Sequence, residues 1–311
     1  MPSMTTRPLD HLPTETVLTL LGKIAPGSTL QRVELLPGSF SNHTHLVEAR
    51  LPDGKMLKCA VRRYQVFGDY DRGEKARREF KAFELMNRCG IPSPEPLFLD
   101  DTGERLGVPG IVTRFVPGAL VLDAPPEPLT WARKLALMLA RIHAIPLDKE
   151  ARRFLLDANA EASWFLNRDS APEFMQSYPG GADLWQAARE SFPRLQPATP
   201  ALVHIDYWSG NILWNDGEIS AVLDWEEAAC GDPAIDVAYA RMNMVLLGLP
   251  DAADEFLHAY EAGTGQMVKN LGFWEMAAAA RPMFASTDWE VDREPKAGRY
   301  QQFMDNAKKR N

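Results

Sequence analysis

Apolar positions change period near residue 117. Before it they come in short alternating or continuous runs separated by turn residues. Residues 31–36, 45–49 and 56–61 read as strands, joined by Pro37-Gly38-Ser39-Phe40-Ser41-Asn42 and by Pro52-Asp53-Gly54, which predicts an antiparallel meander. Ahead of it, residues 14–24 carry Val17, Leu18, Leu20 and Leu21 on the apolar side of a short helix. A charged amphipathic helix is predicted over 74–88, with Ala76, Phe80, Phe83 and Met86 on one face, and Gly90 and Pro92 end it. The apolar strand 110–116 then runs into Pro117-Gly118.

Beyond that break the period is helical. Residues 130–143 place Trp131, Leu135, Met138, Leu139 and Ile142 on one side. Weaker helical patterns cover 164–167 and 182–191, and clearer ones 234–247, 251–262 and 271–280, while the polar residues 305–311 read as a frayed end. One strand-rich island interrupts them. Residues 201–205, 212–214 and 219–223 form short strands around the turn Asn215-Asp216-Gly217. The chain therefore reads as α+β in two parts, a strand-rich 1–116 with one main helix and a mostly helical 117–311.

With 311 residues, both parts are long enough to hold a core. A net charge of -8 argues against nucleic acid as the main partner. Three scattered cysteines give neither a disulfide framework nor a zinc pattern and fit a reducing compartment. No apolar run approaches the ~18 residues that a membrane span requires, and the first residues lack the apolar stretch of a signal peptide. The expectation is a cytoplasmic protein with no membrane partner.

The island carries the chemistry. Asp206, Asn211 and Asp224 fall on a strand, loop and turn that can bring an oxygen-only donor set to one edge, suited to magnesium together with substrate phosphates. Phosphoryl transfer needs a carboxylate for the acceptor's proton, metal ligands and a cation for the phosphates. Asp206 can be the base, Asn211 and Asp224 the ligands, and Arg62 the cation. Glu79 borders the apolar face of its helix. Periodicity leaves two readings open for it: a border charge partnered by Arg62, or a solvated surface charge partnered by Lys75 or Arg78. The loop 38–42 can cover phosphates with its N–H groups or be a plain hairpin turn. His43 and His45 read as exposed strand residues and His143 as a packed, hydrogen-bonded histidine.

These elements resemble the aminoglycoside phosphotransferase and choline kinase family, the small-molecule branch of the protein-kinase-like fold. His204-Ile205-Asp206 through Asn211 is similar to its H-G-D-x-x-x-x-N loop and Val222-Leu223-Asp224-Trp225-Glu226 to its metal segment. Gly231-Asp232-Pro233-Ala234-Ile235-Asp236 is similar to its G-D-P-x-x-D helix start. The resemblance spans roughly residues 30–280. It implies a two-lobed kinase-like fold, with ATP and magnesium as cofactors. It further implies a nucleotide site from Ser39, Phe40, Ser41, Asn42, Arg62, Glu79 and the hinge residues Arg114, Phe115 and Val116. Asp206 is the implied catalytic base, Asn211 and Asp224 the implied metal ligands, and Asp236 an implied tether of the catalytic loop. Ile205 stands where the family has glycine, and Arg62 where lysine is familiar.

The expected activity is transfer of the γ-phosphoryl group of ATP to a hydroxyl of a small molecule. Aminoglycoside-like compounds, choline or another amino alcohol, homoserine and sugars all fit. Asp251, Asp254, Glu255 and Glu261 could draw a cationic acceptor or form a solvated acidic face. The alternatives are a catalytically weak nucleotide-binding relative and a metal-dependent hydrolase using His204, Asp206, Asp224 and Asp232.

Overall fold

The computed structural model describes residues 9–36, 42–64 and 72–311, apart from the Arg72 side chain. Contacts divide the chain into two compact units. The first is Met1–Pro117 with Ser220–Glu226, and the second is Gly118–Ile219 with Glu227–Asn311. The return of Ser220–Glu226 to the first unit departs from a simple cut at Pro117. It follows from pairing: Val222 N–H donates to Pro92 O at 2.9 Å, and Ser220 Oγ donates to Pro117 O at 3.1 Å.

The first unit is a five-stranded antiparallel sheet of β1 (Thr29–Leu35), β2 (Asn42–Arg50), β3 (Met56–Tyr64), β4 (Pro96–Asp100) and β5 (Gly110–Arg114), in the order β1-β2-β3-β5-β4. Alternation works as expected in β3: Leu57, Cys59 and Val61 are buried on one face, so Arg62 faces the other way. Helix α1 (Thr14–Ile24) adds Val17, Leu20 and Leu21 to the same core as Val47, Val61 and Val112. Helix α2 (Arg72–Arg88) packs along β4 and β5, with Ala76, Phe83 and Met86 buried. Gly110 lies opposite Arg63, and a Cβ on it would come within 2.5 Å of Arg62 O. Only glycine lets β5 approach the strand that carries Arg62 so closely.

The second unit is mainly helical. Its longer helices are Pro128–His143, Gly181–Ser191, Ala234–Leu246, Pro250–Thr264, Leu271–Phe284 and Lys296–Arg310. Pro128–His143 packs on Pro250–Thr264, and Leu271–Phe284 lies between Ala234–Leu246 and Lys296–Arg310. Ala201–Val203 and Leu156–Asp157 flank Ala229–Gly231 in a small sheet. Two expectations fail. The terminal residues are not frayed, because Tyr300, Phe303, Met304 and Ala307 form a buried stripe at helical spacing in Lys296–Arg310, while the polar residues of 305–311 are its solvent side. His45 is buried and bonded to Asp10 O at 3.0 Å, where exposure was expected, because the residues before α1 cover it. Among the described residues no helix is long and apolar enough to cross a membrane.

Candidate active site

In the first unit, strand β3, helix α2 and the returning segment converge on Arg62. Its Nη2 lies 2.5 Å from Asp224 Oδ1 and 3.2 Å from Glu226 Oε2, and its Nε lies 3.2 Å from Glu79 Oε2 without hydrogen-bond alignment. Glu79 is almost fully buried; it also accepts from Tyr64 Oη and, at 3.3 Å, from the N–H of Trp225. Glu226 accepts from Asn42 Nδ2 at 2.6 Å and Lys75 Nζ at 2.8 Å, while Arg78 donates to its backbone carbonyl at 2.6 Å. Three carboxylates thus stand within 4.8 Å of one another around one guanidinium.

Burial raises the Glu79 carboxyl to about 7, against the pull of Arg62. Burial also acts to raise Glu226, but Arg62 and Lys75 hold it below the ordinary glutamate value. Burial opposes the charge on Arg62, yet Asp224 and Glu79 keep it above the ordinary arginine value. Asp224 is the most exposed of the three carboxylates, at 29%, and sits in the left-handed region with φ 62°. An aspartate strained at the end of a strand, with its carboxylate partly open, fits a hard cation by its donor chemistry.

In the second unit the loop after Ala201–Val203 presents Asp206. The N–H groups of His204 and Ile205 both donate to the fully buried Asp236, each at 2.8 Å. His143, as anticipated, is packed and bonded: its Nε2 lies 3.1 Å from Asp236 Oδ2 and its Nδ1 2.7 Å from Tyr260 Oη. Ile205 has φ 72°, a region that glycine occupies freely and a β-branched residue does not. Its carbonyl accepts from Arg281 Nη1 at 2.8 Å, so the peptide groups on both sides of Ile205 are fixed. Asn211 Nδ2 donates to Asp206 Oδ2 and to Asp206 O, both at 2.8 Å, which closes the loop on itself.

Arg281 also lies 3.7 Å from Asp206 Oδ1 and 3.6 Å from Glu227 Oε2, with its guanidinium 4.6 Å from the Tyr239 ring centre. Burial and the charge of Asp206 push the Tyr239 hydroxyl well above the ordinary tyrosine range. Beside this group is a cavity of about 230 Å³, whose lining includes Trp164, Ile205, Tyr239, Trp274 and Arg281.

Of the anticipated nucleotide residues, Ser39, Phe40 and Ser41 lie outside the described residues, and Asn42 is turned to Glu226. Arg114 is exposed and paired with Glu95 at 2.6 Å, while Phe115 N–H donates to Lys58 O at 3.0 Å and Val116 is half-buried. Sequence reasoning did not find Tyr64 or Arg281 as site residues. Arg281 follows directly on the predicted helix 271–280, so extending that period by one residue would have found it.

The antiparallel sheet with its glutamate-bearing helix, and the helical unit with its Asp206–Asn211 loop, define the protein-kinase-like α+β fold in its small-molecule kinase class. The profile of the phosphotransferase enzyme family matches residues 34–269, and the chain belongs to that family. It is similar to viomycin phosphotransferase of Streptomyces vinaceus, 28% identical over 233 residues, which cover 72% of this chain and 77% of that protein. It is also similar to acyl-CoA dehydrogenase family member 10 of Mus musculus, 29% identical over 184 residues. That match covers 54% of this chain but only 17% of the mouse protein. In fold it matches a thermostable mutant of an aminoglycoside phosphotransferase in ternary complex with AMP-PNP and hygromycin B. The TM-score is 0.63 at 17% identity, over 94% of this chain and 97% of that one.

Proposed function

We propose that the protein transfers the γ-phosphoryl group of ATP, with magnesium, to a hydroxyl of a small molecule in the cytoplasm. The observation that carries this reading is the second unit's loop, where Asp206 is fixed by Asn211 and hung on Asp236 beside a cavity. A carboxylate so placed takes the proton of an acceptor hydroxyl, and little other covalent help is needed. Residues 117–311 form the acceptor-binding and catalytic lobe in this reading. Residues 1–116 form the nucleotide lobe, where Arg62 holds phosphate, Glu79 orients it, and Ser39, Phe40, Ser41, Asn42, Arg114, Phe115 and Val116 contribute to binding ATP.

Asp224 and Asn211 are the proposed metal ligands, each supplying oxygen as magnesium prefers. When bound, magnesium neutralises charge on the phosphate oxygens. Of the two readings of the acidic helix face, the one in which it draws a cationic acceptor finds less support. Asp254 faces Arg241 at 3.2 Å, Glu255 faces Arg133 at 2.7 Å, and Glu261 accepts from Val268 N–H at 2.9 Å.

The hydrolase alternative also loses support. Asp232 already accepts from Ala234 N–H, Asn270 Nδ2 and Trp274 Nε1 at 2.8–3.0 Å, which leaves it a structural residue. The test is Asp206→Asn in an ATP- and magnesium-dependent ADP-release assay. Loss of at least a hundredfold in kcat with folding intact is expected. Undiminished turnover would sink the assignment.

A further inference from the structure

The cavity beside Asp206 narrows the class of acceptor, an inference that rests on the phosphotransfer reading above. We propose that the acceptor is an alcohol with a mainly apolar body and at most one positive charge. Its body lies against Trp164, Tyr239 and Trp274, and its hydroxyl is directed to Asp206.

Three observations converge on this. The first is the charge of the lining. A compound with several ammonium groups needs several carboxylates, and the cavity offers Glu161 and Glu227. Glu227 faces Arg281 at 3.6 Å, and Arg281 itself stands 3.7 Å from Asp206. Any ammonium group brought to the base therefore meets a like charge held in place by the Ile205 carbonyl and the Tyr239 ring. Apart from these charged groups and the Tyr239 hydroxyl, the lining side chains are apolar: aromatic rings, isoleucines and alanines.

The second is Ile205. At φ 72° glycine costs nothing, whereas isoleucine is strained. Strain kept at a functional site points to something the side chain supplies. Here the residue is 5% exposed and lines the cavity, where it supplies an apolar side chain that glycine lacks.

The third is a set of rings that continues the apolar surface outward. Trp164, which lines the cavity, stacks on Phe174 at 5.4 Å, and Phe284 sits edge-on to both at 6.3 and 5.7 Å. Trp164 is 39% and Phe284 71% exposed. Grouped exposed rings at a cavity are a feature of ligand sites, where scattered single ones are not.

The test compares two sets of compounds on the full chain: the polycations kanamycin and hygromycin B, and the apolar alcohols erythromycin and phenyl-substituted alkanediols. Isothermal titration calorimetry without ATP measures binding, and coupled ADP release measures turnover. The apolar set is expected to bind at least tenfold more tightly than the polycations. Trp164→Ala and, independently, Phe284→Ala should each weaken that binding tenfold or more. Preference for kanamycin or hygromycin B, binding indifferent to both substitutions, or no binding by either set overturns the proposal. Trp164-dependent binding of the apolar set without ADP release upholds the pocket assignment and overturns phosphotransfer instead.

Discussion

Asp236→Asn tests how the loop that carries Asp206, the proposed base, is held. The aspartate is fully buried and accepts two backbone N–H groups at 2.8 Å, with His143 Nε2 at 3.1 Å. A carboxamide has one acceptor oxygen, so its NH₂ must face one of the two backbone donors. That leaves a buried N–H unsatisfied, at about 1–3 kcal/mol, and weakens the other bond by removing its charge. The expected total loss of stability is about 2–4 kcal/mol, from these two terms together.

The catalytic consequence runs through Ile205, whose left-handed backbone costs about 1–2 kcal/mol and is held by this tether and by Arg281. Once the tether weakens, Ile205 relaxes toward negative φ and carries Asp206 with it. A displacement near 1 Å is enough for a loss of about a hundredfold in rate. Urea unfolding followed by tryptophan fluorescence and acceptor-dependent ADP release measure the two effects. Ile205→Gly added to Asp236→Asn should recover part of the lost kcat, since glycine has no strain to release. An Asp236→Asn protein within about 0.5 kcal/mol of wild type, the range of a neutral surface change, and with unchanged kcat would refute the reasoning.

The other predictions concern the first unit. Arg62→Met leaves the buried Glu79 and Glu226 without their shared cation and should cost about 3–5 kcal/mol in urea unfolding. Arg62→Lys should lose less, because an ammonium keeps the charge but not the fork. Burial lowers the His45 imidazole below its ordinary 6.5, with the Asp10 carbonyl opposing. Its folded pKa is depressed, so its stability contribution is present above 6.5 and is lost as pH falls through the folded value. The unfolding midpoint should drop on acidification below 6.5, and His45→Gln should flatten that drop; an unchanged pH slope in the variant would count against the assignment.

Local signals made most of the architecture legible. Strands β1 to β3 and helices α1 and α2 follow from short-range period and turn residues, and so does the loop from His204 to Asn211. What escaped depended on partners distant in sequence. His45 looked exposed because alternation cannot show that residues before α1 fold over it. The stripe Tyr300, Phe303, Met304 and Ala307 escaped because polar residues outnumber it in 305–311. Its apolar face becomes meaningful only against Leu271–Phe284, which it covers.

Glu79 shows most clearly where local reading stops. Period placed it at the border of its helix's buried face and left Arg62 competing with Lys75 and Arg78 as its partner. The structure gives those cations different partners around one cluster. Arg62 lies against Glu79, while Lys75 reaches the Glu226 side chain and Arg78 its carbonyl. Glu226 is 147 positions beyond Glu79, by 226 minus 79, and arrives on the returning segment Ser220–Glu226. Three carboxylates within 4.8 Å repel one another unless more than one cation is present. Lys75 and Arg78 therefore serve the same cluster as Arg62. This also gives a physical reason for arginine at position 62. A guanidinium can face Glu79 through one edge and Asp224 and Glu226 through another, whereas an ammonium offers a single point of charge.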